Sequence, residues 1–113
     1  MIKVVIESWE AGYPNPITVN PGDRVSVGRR DEEWTNFLWC RSSTDRQGWI
    51  PASILELDGL GGALVVTAYD ARELTVREGD RVSTLSSLAE WTWCEADDGR
   101  TGWVPDRCLA DQR

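Results

Sequence analysis

An all-β fold of two consecutive small β-barrels is what this 113-residue sequence predicts. Three observations carry that expectation. The chain repeats itself once. Turn clusters rich in Gly, Asp, Asn and Ser recur at about 8–12-residue spacing, as in small all-β domains. The segments between them alternate apolar and polar residues or are β-branched, and none has the period of a helix.

The repeat is read most easily at RQGWIP, residues 46–51, and RTGWVP, residues 100–105. Around it, Thr18-Val19 matches Thr75-Val76, and Gly22 to Ser26 matches Gly79 to Ser83 identically. Trp39-Cys40 matches Trp93-Cys94, and Leu55 matches Leu109. The copies are residues 1–57 and 63–113, and the glycine-rich 58–62 between them reads as a short flexible linker. The first copy carries extra residues around Gly12 to Pro16 and a longer segment between Trp34 and Trp39.

In chain order, Lys3–Ile6 and Leu64–Thr67 read as opening strands. Asn20–Asp23 and Arg77–Asp80 read as turns. Strands restart at Arg24–Val27 and Arg81–Ser83, and again at Trp39–Arg41 and Trp91–Glu95. Polar turns follow at Ser42–Asp45 and Asp97–Gly99. In Gly-Trp-aliphatic-Pro, the Gly is expected to allow a tight reversal, Ile50 or Val104 to point inward, and the Trp outward. The Pro suits the exit from a strand.

Composition bounds the function. The net charge of −7 disfavours nucleic acid and anionic membranes and favours basic partners. No apolar run is long enough to span a membrane, no signal peptide is evident at the start, and a cytoplasmic protein is expected. Cys40, Cys94 and Cys108 are widely spaced and there is no His, so neither a metal site nor a cofactor is expected. An odd number of cysteines suits a reducing compartment. Without His to activate Ser or Cys, with Lys3 as the one Lys, and with carboxylates confined to turns, no catalytic constellation is visible.

The second copy, Ala68-Tyr69-Asp70-Ala71, Glu73-Leu74-Thr75-Val76, Gly79-Asp80, Trp91-Thr92-Trp93, then Gly99 to Pro105 and Asp106 to Leu109, resembles an SH3 domain. The first copy is more distant at Ser8 to Ala11 and closes similarly at Gly48 to Leu55. The chain looks most like tandem, bacterial-type variant SH3 proteins. The resemblance implies two SH3-like barrels and a groove whose aromatic ridges hold an extended, proline-rich peptide. It assigns ridge positions to Tyr69, Ala71, Trp91, Pro105 and Cys108 in the second copy. In the first copy they are Trp9, Ala11, Phe37 or Trp34, Pro51 and Ile54. By the same resemblance, Trp49 and Trp103 are expected to border the specificity pocket. Two aromatic ridges are missing from each copy, which departs from ordinary proline-rich recognition. Glu73, Glu90 and Asp31 to Glu33 are the acidic residues available for a ligand Arg.

Three functions follow as expectations. The first is an adaptor binding a protein or peptide through Trp9, Trp34, Phe37, Trp49, Pro51, Tyr69, Trp91, Trp103 and Pro105, with both copies acting on a bivalent partner. The second is a structural tandem barrel whose aromatics form an inter-domain or dimer interface. The third is a cell-wall (peptidoglycan) binding module. Trp39 and Trp93, one residue before inward-facing Cys40 and Cys94, are expected to face outward as an interface or recognition surface.

Overall fold

A computed structural model describes residues 1–13 and 15–112. Among them the chain is all-β, as expected, with short 3-10 turns and no longer helix. It contains two compact units, residues 1–14 with 72–113 and residues 15–71. We call them the split unit and the continuous unit.

In the continuous unit, β2 (Thr18–Val19) leads into β3 (Arg24–Arg30), β4 (Phe37–Arg41) and β5 (Gln47–Pro51). A 3-10 turn, Ala52–Ile54, follows, then β6 (Leu55–Leu57), β7 (Gly62–Val65) and β8 (Tyr69–Asp70). The main sheet runs β5-β4-β3-β7-β6, and β8 pairs with β2. Its core gathers Ile17, Val25, Leu38, Ile50 and Val65, all at most 5% exposed.

The split unit opens with β1 (Ile2–Val5) and resumes with β9 (Arg81–Leu88), β10 (Trp91–Ala96) and β11 (Thr101–Pro105). The 3-10 turn Asp106–Cys108 and β12 (Leu109–Asp111) complete it. Its sheet runs β11-β10-β9-β1-β12. Val5, Val82, Cys94 and Val104 are among its core residues. The barrel expectation needs one adjustment: in neither five-stranded sheet, among the described residues, do the end strands pair to close a ring.

The compact units are not the contiguous divisions 1–57 and 63–113 of the duplicated sequence. The two copies exchange their opening strands. β1, from the first copy, lies between β9 and β12 of the second. β7, from the second copy, lies between β3 and β6 of the first. Each turn cluster clamps the incoming strand in the same way. Val5 N–H donates to Asp80 O and Gly79 N–H to Val5 O, both at 2.8 Å. Val65 N–H donates to Asp23 O and Gly22 N–H to Val65 O, again at 2.8 Å.

The glycine-rich 58–62 stretch is a hairpin turn between β6 and β7, not a flexible linker. Asp58 Oδ1 accepts from Leu60 N–H at 2.7 Å and from Gly62 N–H at 3.1 Å. Gly59 and Gly61 supply the positive φ, +76° and +89°, that side chains resist. Those two N–H groups hold the Asp58 carboxyl below its ordinary range. An aspartate turning its own backbone is short-range chemistry, and it ties β7 to β6.

The glycines of the repeated motif also differ from expectation. Gly48 and Gly102 lie inside β5 and β11, buried, and neither has positive φ. They are small because another segment crosses them. A Cβ on Gly102 would lie 2.7 Å from Glu73 C and Leu74 N. One on Gly48 would lie 2.8 Å from Ile17 Cγ2. In the split unit the crossing is hydrogen bonded: Trp103 N–H donates to Arg72 O at 2.9 Å, and Leu74 N–H to Trp103 O at 3.0 Å. The two copies close their 3-10 turns with different chemistry. Buried Thr92 donates its hydroxyl to Asp106 Oδ1 at 2.6 Å, where the first copy has the apolar Leu38 and Ala52.

Candidate functional site

Strand alternation builds an aromatic ladder on the outer face of each central hairpin. In the continuous unit Phe37 lies opposite Pro51, and Trp39 opposite Trp49. In the split unit Trp91 lies opposite Pro105, and Trp93 opposite Trp103. The intervening Cys40, Ile50, Cys94 and Val104 point inward and are fully buried, as the alternation required. Of Phe37 and Trp34, it is Phe37 that the register places on the rung equivalent to Trp91. Half-buried Trp34 belongs to the preceding turn, where its carbonyl accepts from Phe37 N–H at 3.0 Å.

Both Trp–Trp rungs are edge-to-face, with centroids 5.0 Å apart for Trp39–Trp49 and 5.2 Å for Trp93–Trp103. Such geometry contributes about 0.5–1.5 kcal/mol beyond burial. Arg29 stacks its guanidinium over Trp39 and Trp49, at 5.6 and 5.2 Å. Trp39 Nε1–H donates to Gln47 Oε1 at 2.9 Å. The ladders are unequally open. Trp39, Trp49 and Trp93 are half-buried, while Trp91 and Trp103 are each 8% exposed and Phe37 is 5% exposed. Pro51 and Pro105, expected on an open groove, are fully buried.

Strand exchange regroups the expected ridges. Trp9 belongs to the split unit, whereas Phe37 and Pro51 belong to the continuous unit. It bridges to Val76, Trp9 N–H donating to Val76 O at 2.9 Å and Val76 N–H to Trp9 O at 2.8 Å. Its ring meets Trp91 edge-on at 5.4 Å. Its Nε1–H donates to Glu73 Oε1 at 3.0 Å, and the Arg107 guanidinium sits 5.8 Å from its ring centroid. Tyr69 and Ala71 pack instead on the core of the continuous unit, with Val19 opposite Tyr69. The two positions where an aromatic is missing at the 3-10 turns, Ile54 and Cys108, are core residues.

Glu73 was legible as an acidic residue of the first variable loop, but not its partner, because Trp9 comes from the other copy. Burial pushes its carboxyl above the ordinary range, opposed by the hydrogen bonds from Trp9 and the Gly12 backbone. A group with a raised folded pKa favours the fold below its unfolded pKa and loses that contribution as pH rises through the folded value. E73Q keeps an oxygen acceptor for Trp9 and removes the charge. The expected result is a Tm above wild type near neutral pH, with the difference vanishing in acid below the ordinary carboxylate range, as followed by circular dichroism.

The other acidic candidates do different work. Asp31 Oδ1 accepts from Glu33 N–H at 3.1 Å, so that run turns its own backbone. Glu90 is exposed at a left-handed position, φ 73°, and its carbonyl accepts from Asp106 N–H. All three cysteines are buried free thiols, and burial pushes Cys40 and Cys94 up to about 11. Such thiols are poor nucleophiles at neutral pH. No group of three or more Cys, Asp or Glu among the described residues is placed to hold a metal. No helix among them is long and apolar enough to cross a membrane.

The family model described as the variant SH3 domain matches residues 3–58 and again residues 66–112. The SH3 and PX domain-containing protein 2B of Homo sapiens is 25% identical over 118 residues, covering 90% of this chain and 12% of that protein. Its Mus musculus counterpart is 25% identical over the same length, covering 13% of that protein. The chain thus spans about an eighth of the curated relatives it matches. Both are mammalian, where the sequence resemblance pointed to bacterial-type variants.

Proposed function

Because the chain belongs to the variant SH3 domain family, we propose that it is a non-enzymatic protein- or peptide-binding adaptor whose split unit takes a basic segment of its partner at Glu73 and Trp9. One observation carries this reading: a carboxylate is kept half-buried against an indole N–H although its burial raises its pKa. A side chain held at a cost to stability is characteristic of a binding site. An incoming guanidinium would meet a charge that is already partly desolvated, where a charge-assisted hydrogen bond contributes most. The face of Trp9 already accepts one guanidinium, that of Arg107. The chain's net charge of −7 draws basic ligands toward it.

The proline rings of a ligand play a smaller part in this reading. They need exposed ridges, and Pro51, Pro105, Phe37 and Trp91 offer little exposed surface. Titration of the full chain with Arg-containing peptides, with and without prolines, would be followed by Trp fluorescence. Peptides with Arg are expected to bind, and those with Arg replaced by Ala are not. E73Q is expected to weaken binding about tenfold or more, the equivalent of losing one charge-assisted hydrogen bond. Absence of any spectral change at millimolar peptide, or binding that follows proline content and ignores Arg, sinks the reading. The burial of Trp91, Trp103, Phe37, Pro51 and Pro105 favours a second one, a structural tandem protein whose aromatics serve packing.

A further inference from the structure

The exchange of β1 and β7 calls for a cause, because β3 and β9 meet them with the same residues. β9 presents Arg81, Val82 and Ser83 to Val4, Lys3 and Ile2. β3 presents Arg24, Val25 and Ser26 to Leu64, Ala63 and Gly62. On this wall the two seats share one register and the same three facing residues, Arg-Val-Ser, so β3 and β9 cannot choose between the two guests.

Two other features can. The first is the hairpin at Asp58 to Gly61. It joins β6 directly to β7, with Asp58 N–H donating to Gly62 O at 3.0 Å, so β7 is held beside β6 by a turn of only a few residues. Closing so short a loop costs far less entropy than bringing in a distant strand. The second is the core-facing residue in the middle of each guest strand. In the continuous unit it is Ala63, 1% exposed, opposite Leu57. In the split unit it is Lys3, opposite Asp111, with Nζ 3.8 Å from the carboxylate and its side chain 31% exposed. In Ala63's seat, Lys3 would replace a side chain only 1% exposed and would stand opposite exposed Leu57 in place of the Asp111 carboxylate, and drawing the stem of an ammonium into that core position is disfavoured. In its own seat it reaches solvent and Asp111. The ion pair adds little by itself, as exposed pairs do. The selection comes mainly from exclusion at Ala63.

We propose that the hairpin at Asp58 to Gly61 and the Ala63/Lys3 difference commit the chain to strand exchange, and that each sequence half therefore carries a docking seat whose partner is the opening strand of the other half. The seat between β3 and β6 takes the small apolar strand headed by Gly62 and Ala63. The seat between β9 and β12 takes a strand with Lys opposite Asp111. The halves recognise one another as two proteins would, and their covalent connection at 58–61 becomes dispensable once both seats are filled.

The test uses the full chain. A protease recognition sequence inserted at exposed Leu60, 90% accessible, is cut after folding. By native mass spectrometry the two pieces are expected to stay together as one species, with the mass of the intact chain plus the one water added on cleavage. Two separately folded pieces would overturn the proposal. A second measurement separates strand exchange from mere surface association. Directly opposed residues of antiparallel strands lie about 4.5–5.5 Å apart at Cα, within disulfide reach. In the uncut chain, K3C/D111C is expected to form an intramolecular disulfide on mild oxidation, and K3C/L57C to remain reduced. The reverse pattern, or a disulfide only between chains, overturns the proposal. The native thiols, buried and with raised pKa values, do not compete.

Discussion

Replacing Val5 with aspartate is expected to unfold residues 72–112 and leave residues 15–71 folded. Val5 is 1% exposed and packs in the core of the split unit. Its backbone joins both Asp80 and Gly79. An uncompensated carboxylate there costs on the order of 3–5 kcal/mol. A unit of this size has a total stability on the order of 3–8 kcal/mol. Amide spectra would report the result: resonances of the second half of the sequence lose dispersion after a change at position 5, and those of 15–71 keep theirs. V65D is expected to give the mirror image, collapsing residues 15–57. If V5D instead disturbs 15–57, the strand assignment is wrong.

G102A is expected to be the more damaging of two equivalent alanine substitutions. The new Cβ would press on backbone, Glu73 C and Leu74 N at 2.7 Å, and backbone held by two hydrogen bonds to Trp103 has no easy way to yield. In G48A the nearest atom is the Ile17 side chain at 2.8 Å, with backbone no closer than 3.4 Å. Overpacking a formed core costs about 1–3 kcal/mol; G102A is expected at the top of that range or beyond it, and G48A near the bottom. Urea unfolding of the two variants, read against wild type, makes the comparison. Equal losses would mean that the crossing segment is not the reason for glycine.

Much of this was legible in the sequence. The identity of Gly22 to Ser26 with Gly79 to Ser83 established two like units, and alternation around Cys40 and Cys94 correctly faced Trp39 and Trp93 outward. The same identity concealed how the units are assembled. Two acceptor strands that face their guests with the same Arg-Val-Ser do not by themselves tell which opening strand each receives. What decides it is local: an aspartate that turns its own chain at 58–62, in a stretch whose glycines read as slack. The site was obscured for the same reason. Trp9 and Glu73 are far apart in sequence and belong to different copies, so no motif within one copy could pair them. Gly102 read as a turn residue because periodicity describes a strand's own side chains and is silent on what crosses it.

The exchange also sets an order of assembly. Every strand of the continuous unit lies within residues 15–71, so that unit can complete itself while the later sequence is still being made. β1 is made before the continuous unit and must wait, because its partners β9 and β12 are made after it. Contacts between such distant segments slow folding through loop-closure entropy. During that delay β1, with Ile2, Val4 and Val5 exposed, is an unpaired apolar strand, the kind of segment that adds to another sheet edge. Translation past β12 is therefore the step that shields β1.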